Sequence, residues 1–264
     1  EGVSAVKQNR PGWSELSSTV IDPEWRGENI DGEKVYQMLH DARSEFDEEN
    51  YPDEKRYTQT VSFTGKSQKG SMDAGFIPVG YSDGQFFEAN NGDGRISTVY
   101  MIDSENSYTD GGDIYVPEGS VRDGTESVLD LLGGVTQVER EILDEFERPE
   151  TVSVEESMAP GIGQARVTVL EDEDEMDSWS YQELMNWIDE NQRSDEIEWM
   201  NVELDAGSPL ASAVVQDTDL DFERFQPYGY RTDEWHDILG LQERPQGSRE
   251  RYFVDDAMEV IDFA

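Results

Sequence analysis

A chain carrying 61 Asp and Glu against 20 Lys and Arg has a formal net charge of -41 over 264 residues, and no fold escapes that constraint. Charges of one sign repel one another across any compact state, so folding works against the chain's own field. The cations are skewed as well: Lys7, Lys34, Lys55, Lys66 and Lys69 are the only lysines, and Arg supplies every later positive charge. In molar salt the Debye length falls to about 3 Å and most of the repulsion is screened. The composition therefore reads as that of a protein built for a high-salt environment.

High charge with low hydrophobicity is also the mark of disorder. Six Trp, 11 Tyr and 10 Phe spread along the chain argue for a folded protein instead. The length suits one large or two small domains. With no Cys there is no disulfide framework, thiolate nucleophile or zinc–thiolate site. No apolar run reaches the roughly 18 residues that a membrane span needs. The excess of acid disfavours an exposed nucleic-acid surface, whose usual footprint is basic.

Residues 1–30 read as an extended arm punctuated by Pro11, Gly12, Pro23 and Gly27, with Trp13 and Trp25 as contact residues. A helix is expected from about Gly32 to Phe46, where Val35, Met38, Leu39, Ala42 and Phe46 form one apolar stripe. Alternation from Tyr57 to Phe63 predicts a strand, and Gly65–Gly70 a loop tip. Gly75–Gly80, Gln85–Glu88 and Ile96–Ile102 continue the β-rich stretch. The longest helical period, Gly124 to Arg148, joins Val128, Leu131, Leu132, Val135, Val138, Ile142 and Phe146, with Gly133 and Gly134 interrupting it. Strands are expected within Val152–Leu170, followed by a solvated acidic loop at Glu171–Glu175. Ser180 and Glu183 form a capping box for the next helix. Glu198–Leu204, Ala211–Val215 and Tyr252–Ile261 are strand candidates, with a short helix near Asp233–Leu239. The order is mixed α and β, without regular alternation and without an internal repeat of fixed period.

No chemical motif survives its structural context. Gly65-Lys66-Ser67 lacks the earlier glycine of a phosphate loop, where Thr60 stands. Gly161-Ile162-Gly163 lacks the third glycine of a dinucleotide fingerprint. Asn91-Gly92-Asp93-Gly94 would need ligands at Ala89 and Tyr100 to close a calcium loop. Gly80-Tyr81-Ser82-Asp83-Gly84 matches the nucleophile-elbow pattern, but strand-like residues follow where a helix is required, so a turn is expected. His236, in Trp235-His236-Asp237, stands in the right chain order to serve Ser82 as a base; His40 is the only other histidine. Carboxylate pairs are too frequent to be diagnostic.

The order of segments resembles the major capsid protein of tailed viruses, the Hong Kong 97-type fold, with a haloarchaeal virus as the source that the salt signature suggests. The resemblance implies an α+β chain, cut from a longer precursor. It would have an N-terminal arm and helix at 1–45, an extended β-hairpin at 46–110 and a peripheral domain with a spine helix at 111–154. An axial domain at 155–245 and a return strand at 246–264 would complete it. It implies a structural, non-enzymatic subunit of the virion, assembled in the host cytoplasm into a homo-oligomeric head shell. That shell would meet other virion proteins and enclose DNA without sequence-specific binding, with no membrane. Lys66 and Lys69 at the hairpin tip, with Trp13 and Trp25, would be intersubunit contacts. No catalytic residue or cofactor is implied, and cations would bind only weakly. The competing readings are a decoration, turret or tail protein and a soluble halophilic hydrolase.

Whatever the function, dilution from molar salt into about 50–100 mM, where the Debye length is about 10 Å or more, should unfold or dissociate the protein. Circular dichroism across a KCl series checks this. A signal unchanged down to 50 mM contradicts the high-salt reading.

Overall fold

The structure is a computed structural model. It describes residues 2–10, 12–22, 24, 29–30, 33–52, 54–61, 65–87, 95–106, 112–133, 140–159, 161, 163–170, 176–232 and 234–243. Trp25, the acidic run 171–175 and the expected return strand lie outside them. Over these residues the fold is α+β, with five helices and a large, mostly antiparallel sheet.

Strands β1 (Gly2–Arg10) and β2 (Trp13–Ile21) form a hairpin, and helix α1 (Val35–Asn50) follows after two short strands, β3 (Asn29–Ile30) and β4 (Glu33–Lys34). Strand β5 (Lys55–Val61) then runs parallel to β2, helix α2 (Gly65–Asp73) follows, and β6 (Phe76–Phe87) and β7 (Arg95–Asp103) form a second hairpin. A connection holds β8 (Ile114–Tyr115), α3 (Ser120–Gly133) and β9 (Ile142–Leu143). The second half comprises β10 (Thr151–Ala159), β11 (Gln164–Leu170), β12 (Asp177–Ser180), α4 (Tyr181–Gln192), β13 (Trp199–Asp205), α5 (Pro209–Asp217), β14 (Asp221–Arg231) and β15 (Trp235–Glu243). The sheet order is β1-β2-β5-β7-β6-β14-β15-β13-β11-β10-β12.

That order contains the same unit twice. Each half is a hairpin, a helix, a strand parallel to the hairpin's second strand, a helix, and a closing hairpin whose last strand inserts beside the parallel strand. The spacing is constant from Lys55 to Trp199, Gly65 to Pro209 and Gly80 to Arg224. Even the irregularities coincide: register shifts at Pro78/Gly80 and Ser82/Phe86 recur at Phe222/Arg224 and Gln226/Tyr230. Over that aligned stretch, Lys55–Phe86 against Trp199–Tyr230, only Asp73 and Asp217 are the same residue. The repeat is therefore invisible to a sequence comparison, because each position needs only the right burial and period.

The halves meet where β6 pairs antiparallel with β14 through Gly80 and Arg224. These two residues are equivalent in the two halves, so the joint is what a twofold axis at this point would generate. A Cβ on Gly80 would fall 2.0 Å from the Arg224 Cβ and 2.4 Å from the Glu223 carbonyl. Only glycine lets the strands approach this closely. Gly240, opposite Arg224, gives the guanidinium stem similar room, and its equivalent in the first half, Tyr100, offers its ring 4.5 Å from the Arg224 Cζ. Arg224 is fully buried between the carboxylates of Glu203 and Glu223. Burial works against its charge, but Glu223 and Glu203 outweigh burial and hold its pKa above the ordinary arginine value.

Several sequence expectations are corrected. The arm at 1–30 holds a paired hairpin at the sheet edge, and the stretch expected to project as a hairpin lies inside the sheet as β5, β6 and β7. Gly65–Gly70 is not a tip but the start of α2. The expected spine helix is described as α3 from Ser120 to Gly133, and Ile142 and Phe146 belong to a strand and a coil; Val135 and Val138 lie outside the described residues. Ala211–Val215 is helical: Ser208 caps it by accepting from the Leu210 N–H at 3.0 Å, and Pro209 occupies the first turn, a start signal that outweighs the β-branched valines. Where a short helix is expected near Asp233–Leu239, Trp235–Leu239 begin β15, because inserting between β13 and β14 satisfies its backbone on both sides; Asp233 lies outside the described residues. The capping box of Ser180 and Glu183 forms as expected. No described helix is long and apolar enough to cross a membrane.

Gly80→Ala should cost about 3 kcal/mol or more, the upper end for overpacking a dense site. Urea unfolding in molar salt measures it. A wild-type midpoint would show that the halves tolerate a wider joint.

Candidate functional site

Strand β2 pairs with β5 only through Trp13–Lys55, Ser14–Arg56 and Glu15–Tyr57. Both strands continue past that point, β2 to Ile21 and β5 to Val61, each held on its far side by β1 or β7. A gap thus opens toward their carboxyl ends, inside the sheet rather than at its margin. The Thr58 hydroxyl reaches across to the Leu16 carbonyl at 2.8 Å. Thr60, on the same face of β5, has a buried hydroxyl with no partner among the described residues. In the second half the equivalent strands, β11 and β13, stay paired over six residues, Gln164–Trp199 to Val169–Leu204. Only the first half keeps the gap.

A concavity of about 710 Å³ lies at the carboxyl end of β13 against the tip of the β14–β15 hairpin. Asp113, Asp205, Gly207, Tyr228, Trp235, His236 and Asp237 line it. Tyr228 stands at φ 52°, a conformation that side chains other than glycine and asparagine rarely adopt. Three contacts hold it there. Its N–H donates to the Asp237 carboxylate at 2.9 Å, its carbonyl accepts from the indole N–H of Trp13, and its ring meets Trp235 edge-on at 5.6 Å. Asp237 is fixed in turn by Arg140, whose Nε lies 2.7 Å away with a side chain only 1% exposed.

Trp13 therefore ties the first hairpin of one half to the last hairpin of the other. Gly12 belongs to the same contact: at φ +78° a Cβ would fall 2.3 Å from the Trp235 ring. Lys55 places its ammonium 5.3 Å from the Tyr228 ring centre and 5.7 Å from that of Trp235. Burial, aided by the nearby charge of Arg231, lowers its pKa. Beside this wall, His236 Nδ1 lies 2.9 Å from Asp205 Oδ2 and its Nε2 3.1 Å from Thr232 Oγ1.

The sequence-derived candidates are scattered. Ser82 is fully buried within β6, where its hydroxyl accepts from the Trp199 indole N–H at 3.0 Å. It is neither an exposed nucleophile nor part of the expected turn, since β6 runs on to Phe87 with a bulge. Ser82 and His236 are not brought together: His236 meets Asp205 and Thr232 instead. Trp13 is a buried internal tie rather than an intersubunit contact. Lys69 is exposed on α2 and bridges to Asp73 at 3.2 Å; Lys66 lies on the same helix, its side chain outside the description, as is that of His40. The gap had no sequence signal, because it is an absence of pairing between strands far apart in the chain. No group of three or more His, Asp or Glu side chains able to hold a metal ion occurs among the described residues.

No protein-family model, curated protein or solved structure matches this chain.

Replacing Arg140 with Met should cost about 3–5 kcal/mol, the usual loss when one partner of a buried ion pair is removed. Because Arg140 is screened from solvent, the loss should persist in 3 M KCl, unlike a surface-charge effect. Denaturant titration at two salt concentrations reads both.

Proposed function

We propose that this chain is a salt-adapted ligand-binding protein of the enzyme kind, taking an extended, amide-bearing small molecule into the gap between β2 and β5. The observation that carries the reading is the parallel ladder that stops after three residues while both strands run on. Backbone N–H and C=O groups left without ladder partners inside a sheet need satisfaction from elsewhere. A ligand with amides along an extended backbone supplies it as an added strand does, through alternating donors and acceptors. The unpartnered Thr60 hydroxyl adds a polar contact on one wall. The position agrees with the general rule that ligands of open α/β sheets lie at the carboxyl ends of parallel strands. The second half, zipped along β11 and β13, serves as support.

The head-shell reading rests on acidity and segment order, and on nothing in the geometry of the described residues. The strands that would project to clasp neighbours are interior to the sheet, and the N-terminal hairpin is anchored through Trp13. A shell would have to be built from other surfaces, and electron microscopy in molar salt separates the two readings. Closed angular shells would favour the capsid role, and a uniform small species the ligand-binding one.

The direct test is a thermal-shift screen of amide-bearing metabolites and short blocked peptides in molar KCl, with hits mapped by backbone hydrogen exchange. Protection should appear at residues 16–21 and 58–61. A ligand at 100 times its Kd should stabilise by about 2.7 kcal/mol. Thr60→Trp should abolish binding while Thr60→Ser keeps it. Protection elsewhere, or binding by Thr60→Trp, would overturn the proposal.

A further inference from the structure

The hydrogen-bonded row at the tip of the β14–β15 hairpin has the order that acyl chemistry requires. Asp205 ends β13, His236 is the second residue of β15, and Thr232 lies just before that strand. With Asp205 Oδ2 2.9 Å from Nδ1, that nitrogen carries the proton and donates it. Nε2 is then left as the acceptor, and it faces the Thr232 hydroxyl at 3.1 Å. A second bond fixes the Asp205 carboxylate, whose Oδ1 accepts from the Gly207 N–H at 2.9 Å. The His236 and Asp205 side chains keep 16% and 17% exposure and face the cavity. A buried structural histidine would be closed off from such a space. Tyr228 and Trp235 supply an apolar wall for an acyl group, held rigid by Asp237 and Trp13.

We propose that Thr232, His236 and Asp205 act as nucleophile, general base and positioning residue for the hydrolysis of small carboxylic esters at the margin of this cleft, where Thr232 Oγ1 stands 3.1 Å from the cleft-lining His236. The Thr232 oxygen attacks the ester carbonyl carbon and forms a C–O bond while His236 Nε2 takes the hydroxyl proton. The bond to the alcohol oxygen breaks, and the departing alkoxide receives that proton from Nε2. Water then attacks the acyl-threonine, giving one proton to His236. The acid departs as the Thr232–acyl bond breaks, and the proton returns to the Thr232 oxygen. One ester and one water become one carboxylic acid and one alcohol. Asp205 holds the ring in the working tautomer and offsets the imidazolium charge at each attack. The assignment is independent of the gap between β2 and β5.

The test uses the full chain in molar KCl with p-nitrophenyl acetate as substrate and a fluorophosphonate probe, the labelled residue being located by peptide mass spectrometry. The adduct is expected on Thr232. Thr232→Val, which keeps the shape, and His236→Ala should each lower kcat at least about 100-fold. Thr232→Ser should restore turnover, and Asp205→Asn should lower kcat with KM unchanged. Circular dichroism in the same salt confirms that each variant is folded. An adduct elsewhere, turnover retained in Thr232→Val, or wild-type hydrolysis no faster than free imidazole at equal concentration would overturn the proposal. Hydrolysis at Thr232 and ligand protection at residues 16–21 and 58–61 are separate readouts, so either assignment can fail alone.

Discussion

One close approach of two strands joins the two halves into one eleven-stranded sheet. At Gly80 and Arg224 the backbones of β6 and β14 come so near that a methyl group would collide. Into the same joint the chain places a fully buried arginine, two buried glutamates and a tyrosine ring. Asn201 extends the network, its Nδ2 donating to Glu223 at 2.6 Å and to the Leu241 carbonyl at 3.0 Å, while Thr168 donates to Glu203 at 3.0 Å. A buried charge left alone is costly, so the arrangement holds only when all partners are present. The two halves are thus coupled through a polar cluster that tolerates little rearrangement. The tie between Trp13 and Tyr228 depends on that registration.

The scarcity of cations gives the interior a consistent logic. In an excess of carboxylates Arg56 and Arg224 each draw more than one acid, and both sit where elements meet. Arg56 collects Asp47, Glu48 and Asp103 and so links α1, β5 and β7. Arg140 reaches Asp237 from outside the sheet, and Arg148 joins Asp217 at the end of α5. At the surface such pairs contribute little, and salt screens them. Buried ones are screened far less. High salt therefore relieves the repulsion of the exposed acids while the internal pairs that orient the halves remain.

The two halves have diverged in what they keep. One retains an open gap beside β5, whereas the other zips the equivalent strands and places an Asp–His–Thr row where the first half has Val61 and Ile96 at the corresponding positions.

Much of the local structure was legible from the residues alone. The helix of α1, the alternation of β5 and the capping box of α4 each depend on neighbours within a few positions, and each formed, although α1 buries Arg43 and Asp47 and leaves Met38 and Phe46 of its apolar stripe exposed. The α+β class follows from the periods, and the strongly acidic character from composition. Where two signals conflicted, the short-range one misled: Ala211–Val215 looks like a strand until Ser208 and Pro209 start a helix, and Gly65–Gly70 looks like a loop until it packs on β5 and β6. The duplication, the joint, the gap and the row at His236 were beyond the sequence. Strand pairing between residues tens to hundreds of positions apart depends on complementary backbone geometry, which side-chain identity barely records. Only the tertiary structure brings Gly80 to Arg224, Trp13 to Tyr228 and Asp205 to His236, because only there do distant segments compete for the same buried space.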